Sequence, residues 1–202
     1  INGILSDLLK NTYAEGTIER KLSEFYKLAM DSIRRDKEGV APVTPLLKKI
    51  DALKSVPEFK KLQMQYAAFS FGVPFGASFN ADERNASMNI LYLYQGGLTL
   101  GQKEYYLDTD KATVDIREAY KKHLIKMFQL FGFNAAQAKA KGEAVLRFET
   151  ALAKFSKSST ELRDVEANYN KMTLAQFKAK YPNLPVEALL NAEGIKSAYF
   201  QT

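Results

Sequence analysis

The chain contains no cysteine, so neither a disulfide framework nor a thiolate metal site can form. That leaves the compartment open, because disulfide-free proteins occur in the cytosol and in bacterial envelopes alike. It has one histidine, His123, and a centre that needs two imidazoles on one metal cannot be built from it. No apolar run approaches the roughly 18–20 residues a membrane span requires. No signal peptide is visible, and the first residue is Ile1 rather than Met, which reads as a processing boundary. Tryptophan is also missing.

What is present is ample for folding. The 202 residues are 46% hydrophobic and 26% charged, enough for one globular domain or two small lobes, and nothing reads as disordered. A net charge of +6 raises the question of nucleic acid. The lysines answer against it: Lys48, Lys49, Lys60, Lys61, Lys121, Lys122, Lys139 and Lys141 are interleaved with Ala and Glu, as on solvated helix faces.

Hydrophobic spacing predicts a mainly helical chain. Ile4, Leu5, Leu8 and Leu9 mark a short helix ending near Asn11. Thr17 is the candidate N-cap of a five-turn amphipathic helix whose apolar stripe is Ile18, Leu22, Phe25, Tyr26, Ala29, Met30 and Ile33. Residues 36–43 read as a polar loop. Thr44-Pro45 starts the next helix, with Thr44 as the capping hydroxyl and Leu46, Leu47, Ile50 and Leu53 inward. Phe59, Leu62, Tyr66 and Phe69 continue the pattern to Gly72. The period then changes to two, predicting a β-hairpin of Phe75–Phe79 with Met88–Tyr94, whose second strand carries large side chains on both faces. Between the strands, Asn80 to Asn85 has turn chemistry, and Asn85-Ala86-Ser87 spells a glycosylation sequon.

Gly96-Gly97-Leu98-Thr99-Leu100-Gly101-Gln102-Lys103-Glu104-Tyr105-Tyr106-Leu107-Asp108 forms a linker. Asp108 to Asp110 then opens a long helix that Gly132 closes. Asn134 caps its antiparallel partner, for which Ala138, Val145, Leu146, Phe148, Leu152 and Phe155 are the expected inner face. Lys157 to Asn170 reads as a polar loop. Thr173 and Gln176 spell a capping box for a short helix that stops at Pro182, and a last short helix from Pro185 ends at Gly194.

The linker, with its Gly-Gly-Leu start and Tyr-Tyr-Leu end, resembles that of the neprilysin and endothelin-converting-enzyme family of zinc metallopeptidases, to which bacterial PepO-like enzymes also belong. Tyr169-Asn170-Lys171-Met172-Thr173-Leu174-Ala175-Gln176, with Glu161-Leu162-Arg163-Asp164 before it, is similar to a second family motif in the same order and at about the same spacing. Phe25 to Asp31 and Phe148 to Ala153 are weaker matches. The resemblance implies the non-catalytic, helical N-terminal part of a larger peptidase: a cap lobe with one small β-hairpin. Its parts would be residues 1–95 (helices and hairpin), 96–110 (linker) and 111–202 (helical hairpin and short helices), with the catalytic domain absent.

The family's H-E-x-x-H zinc motif is not in the chain. Glu104 to Asp108 fits the family's downstream E-x-x-x-D only by spelling, since it has no histidine partners. The family's Asn-Ala-x-x substrate motif is absent too, Asn85-Ala86 and Asn134-Ala135 sharing only its first two letters. His123 reads as a partly buried helix-surface histidine, and Ser156, Ser158 and Ser159 as loop residues. The linker glycines lack phosphate-loop spacing. Catalytic and metal residues are therefore expected to be none here, with zinc the cofactor of the full-length parent and this segment inactive alone. Expected partners are the parent's own C-terminal catalytic domain and, through it, a peptide substrate. Tyr105, Tyr106, Arg163, Tyr169 and Asn170 are the matched positions from which contacts to the cavity between the lobes are expected. The bland alternative is that the tyrosine pair packs the junction and that Arg163 and Asn170 bond loop backbone. An extracytoplasmic, bacterial location is implied, because animal members of the family are rich in disulfides. The competing reading is a free-standing helical protein-binding module, marked by a native product ending near Thr202.

Overall fold

The structure, a computed structural model, describes residues 2–66, 75–184, 186–192 and 199–201. Contacts divide the chain into two units, Ile1–Ala52 and Leu53–Thr202. The expected positions Phe69, Gly72, Pro185 and Gly194 lie outside the described residues.

In the first unit, α1 (Asn2–Lys10) packs on α2 (Ile18–Met30). Thr17 caps α2 as expected, its hydroxyl accepting from Arg20 N at 3.2 Å. The five-turn helix is broken at Asp31, which ends α2 and caps α3 (Ser32–Glu38) by accepting from Arg34 N at 2.9 Å. An aspartate that can bond the backbone two to three residues on competes with helix continuation, and the spacing of apolar residues could not reveal that. The apolar stripe is not the face that α2 buries within this unit. Ser23 is the residue α2 buries, donating to Leu8 O at 2.6 Å. Ile18, Leu22, Phe25, Met30 and Ile33 are exposed, Phe25 by 73%. Before α4 (Thr44–Asp51) the cap is Val43, and Thr44 is already helical: its hydroxyl donates back to Val40 O at 2.9 Å, so it is not the capping group.

The second unit begins with α5 (Val56–Gln65) and continues into the hairpin, β1 (Phe75–Asp82) and β2 (Asn85–Gln95), longer than expected at the turn end. The two pair antiparallel, with Phe79 opposite Leu91 and an irregularity at Ala81/Asp82. Then follow α6 (Glu104–Leu107), α7 (Lys111–Leu130) and α8 (Ala135–Phe155). In the expected polar loop lie a 3-10 turn, Glu161–Arg163, and α9 (Val165–Asn168). The unit closes with β3 (Met172–Thr173), α10 (Leu174–Lys180), α11 (Val186–Ala192) and β4 (Tyr199–Gln201). The chain is thus mainly helical with a small sheet. The hairpin is joined by β4, parallel to β2, and by β3, in the order β1-β2-β4-β3.

Among the described residues two clusters hold this unit. Leu91, Phe177, Val186 and Leu190 form one, with Leu93, Met172, Leu174, Tyr181 and Leu184 against it. Fully burying a side chain such as Phe177 is worth about 1.5–3 kcal/mol. Ile90, Leu91 and Tyr92 are buried in succession, which is what large residues on both faces of β2 required. The second cluster is Tyr106, Tyr120 and Ala153, flanked by Leu98, Leu100, Leu124 and Leu146. It sits where α7 and α8 meet the linker.

Candidate functional site

The linker is shaped by its glycines. Gly97 and Gly101 have φ of 83° and 85°, where a side chain is strained, so the five-residue bend tightens until Gly101 N donates to Leu98 O at 2.9 Å. The bend delivers Thr99 to the side of α8. There Glu149, 6% exposed, accepts from the Thr99 hydroxyl at 2.6 Å, the Tyr106 hydroxyl at 2.7 Å and the Tyr120 hydroxyl at 3.0 Å. Leu100 N donates to the Tyr106 oxygen at 3.0 Å, and Arg117 donates to the backbone oxygens of Tyr105 and Asp108, both at 3.1 Å. One carboxylate therefore ties the linker, α6, α7 and α8 together. Burial pushes the Tyr106 phenol well above its ordinary range; the Leu100 amide opposes this and the neighbouring Glu149 carboxylate adds to it. Burial raises Tyr120 likewise.

A second knot joins the hairpin turn to the segment before β3. Asp82, 1% exposed, accepts from Arg84 N and from the Tyr169 hydroxyl, each at 3.0 Å, and from Lys171 Nζ. The Lys171 ammonium holds its carboxyl below the usual range, followed by the Arg84 amide. The Arg84 guanidinium lies 4.0 Å from the Tyr169 ring centroid and pairs with Glu166.

A cavity of about 460 Å³ is walled by Tyr92, Leu93 and Tyr94 of β2 and by Phe155, Leu162 and Val165. Gln95 closes one end by a reciprocal pair: its Nε2 donates to Lys157 O at 2.9 Å and its Oε1 accepts from Lys157 N at 2.8 Å. Phe155 is 90% exposed and Phe148 71%, which corrects their expected place on the inner face of α8. The inner stripe is Ala138, Gly142, Glu149 and Ala153, small residues that let α7 approach, with Glu149 as its polar anchor. A Cβ on Gly142 would lie 3.1 Å from Ile125 Cγ1.

The five matched positions are therefore spread over both knots. Tyr106 is buried in the first and Tyr105 is half-buried beside it. Tyr169 belongs to the second. Asn170 is exposed and donates to Asn168 O at 3.1 Å, and Arg163 is exposed. Thr99 and Glu149 of the first knot and Asp82 of the second were not singled out from the sequence. A glutamate in register with Ala138, Gly142 and Ala153 was the available signal. His123 is exposed on α7 rather than partly buried.

The one imidazole faces solvent, and among the described residues no three His, Cys, Asp or Glu side chains gather as metal ligands. No described helix is long and apolar enough to cross a membrane.

The model for the N-terminal part of peptidase family M13 matches residues 1–202. The chain belongs to peptidase family M13. Among M13 relatives, endothelin-converting enzyme 1 of Cavia porcellus is 26% identical over 196 residues, 93% of this chain and 26% of the relative. The zinc metalloprotease Zmp1 of Mycobacterium tuberculosis, in an open state, matches at a TM-score of 0.84 and 20% identity over 98% of this chain and 31% of its own. PepO from Lactobacillus rhamnosis matches at 0.82 and 21% over 99% and 32%. The chain thus spans about a quarter to a third of the M13 proteins it matches, and with the structures it shares the fold.

Proposed function

We propose that the chain is the non-catalytic helical cap lobe of a zinc-dependent metalloendopeptidase, enclosing the active-site cavity and limiting the size of peptide admitted. The observation that carries this reading is the M13 match over the whole chain, joined to coverage of only 26–31% of full-length relatives. Zinc would be held outside this segment, by the parent's catalytic domain, where it would activate water for peptide hydrolysis. The lobe's own contribution is exclusion and positioning. The large apolar side chains left exposed on α2, and separately on α8, support it, since clustered exposed apolar side chains mark interfaces.

Of the matched positions, Arg163 and Asn170 have exposed side chains, and with Tyr105 and Tyr169 they are the proposed cavity or interdomain contacts. Tyr106 is committed to Glu149 and acts by fixing the linker. The reading puts the parent outside the cytoplasm, with a bacterial envelope as the proposed location. A free-standing binding module would expose the same α2 stripe, and the size of the native product separates the two readings.

The test is the catalytic efficiency of the full-length parent on substrates of rising size, from a hexapeptide to a small folded protein. A steep fall with size is expected. Equal cleavage of the folded protein and the hexapeptide would refute the cap role.

A further inference from the structure

The sheet order leaves two rims, and they differ in kind. β3 is two residues long and turns at once into α10, with Thr173 accepting from Gln176 N at 3.3 Å, so its rim ends where a helix begins. β1 is eight residues long and pairs only with β2 among the described residues. In an antiparallel strand alternate residues turn their N–H and C=O groups away from the partner, so half of β1 presents a free hydrogen-bonding rim.

Natural sheets protect such rims with lysine, proline, bulges or brevity. β1 reads Phe75-Gly76-Ala77-Ser78-Phe79-Asn80-Ala81-Asp82. It has no proline and no basic residue, its one charge is the buried Asp82 at the turn, and its one irregularity is beside that residue. Seven residues, Phe75 to Ala81, stay in register with β2 and form an uncharged rim, with Phe79 exposed on it. Among the described residues a side-chain network there, Ser78 with Asn80 and Tyr94, stays within the hairpin.

We propose that the outer edge of β1 is a strand-docking site, occupied permanently by an extended segment of the parent's own polypeptide from outside these 202 residues. The inference rests on the cap-lobe reading, because it needs a longer parent; the matched proteins are three to four times this chain's length, which supplies one. An occupant that came and went, such as a peptide substrate, would leave the rim bare in the resting enzyme, and a bare rim of this length without gatekeepers is an aggregation site. The missing protection therefore favours an occupant that never leaves. Main-chain hydrogen bonds would give the attachment its strength, with Phe79 and the alanines as a flat apolar flank.

Hydrogen exchange on the full-length parent, read by mass spectrometry over residues 75–82, tests this. It is done with and without a saturating hexapeptide whose scissile amide is reduced. Slow exchange throughout β1 without the hexapeptide is the expected result. Slow exchange at alternate amides only, becoming complete when the hexapeptide binds, would overturn the proposal in favour of substrate pairing. Alternate protection in both states would overturn it in favour of an open rim. The intact mass of the native product tests the underlying reading separately: a long parent with an open rim would refute this proposal and leave the cap lobe standing.

Discussion

Replacing Glu149 by alanine should loosen the junction of linker and helical hairpin more than any other single polar change in this part of the chain. The carboxylate is buried, is absent from the described ion pairs, and is satisfied by three hydroxyls at 2.6, 2.7 and 3.0 Å. Hydrogen bonds to a charged group contribute about 1.5–3 kcal/mol each and do not add fully. Truncation leaves the Tyr106 and Tyr120 hydroxyls without their acceptor, at about 1–3 kcal/mol each, although Tyr106 keeps the Leu100 amide. Water entering the vacated space offsets part of that, for a net loss of about 3 kcal/mol. With a urea slope of about 2 kcal/mol/M, the midpoint should fall by about 1.5 M, read by far-ultraviolet ellipticity. Glu149→Gln keeps the volume, and the hydroxyls can rotate to accept from its amide, so about 1–2 kcal/mol is expected. Coupling to Tyr120→Phe should appear in a double-mutant cycle. A midpoint shift below about 0.3 M for Glu149→Ala would refute the latch.

Four further outcomes are expected. The raised phenols of Tyr106 and Tyr120 contribute stability that is present below the ordinary tyrosine range and lost as pH rises through their folded values, so both should ionise at higher pH than the exposed tyrosines; absorbance at 295 nm showing all tyrosines titrating together in the ordinary range would contradict this. Asp82 titrates in the opposite sense: its lowered pKa gives stability present above the ordinary aspartate range and lost as pH falls, so Asp82→Asn should lower Tm at neutral pH and flatten the acid limb, while an unchanged acid limb would count against the knot. Gly142→Ala gains about 1 kcal/mol of helix propensity but crowds Ile125, an overpacking cost of about 1–3 kcal/mol, so a net loss near 1 kcal/mol is expected and stabilisation would show that α7 and α8 can part freely. Phe25→Lys should change the urea stability of the 202-residue chain by no more than about 0.5 kcal/mol, yet cost the full-length parent about 1.5–3 kcal/mol; equal effects in both would mean that nothing covers α2.

Local signals were the most legible part of the sequence. Thr17, Asn134 and Thr173 each cap the helix their spelling announced, and Gly132 closes α7 with a φ of 92°. Those choices are settled within a few residues, so no distant contact can overrule them. Facing was less legible. Apolar residues at helical spacing identify a stripe but not what covers it, and α2 turns Ser23 inward while Phe25 faces out. In α8 the large aromatics Phe148 and Phe155 outweighed the small residues that set the close approach to α7. The polar anchors were hidden for a related reason: Glu149 and Asp82 meet partners 43 and 87 residues away in sequence, through folding that no local window contains. The tyrosine pair and Tyr169 could be singled out because they stand in family motifs, and the partners they require were then one contact away.

The cap-lobe account is tested most directly by the intact mass of the native gene product in its source, read together with the sequence that follows Thr202. The account predicts a product far larger than 22.7 kDa that carries H-E-x-x-H downstream and one zinc per chain. A native product ending near Thr202, folded and without a peptidase domain, would contradict it and leave a helical module that binds a partner through its exposed apolar face.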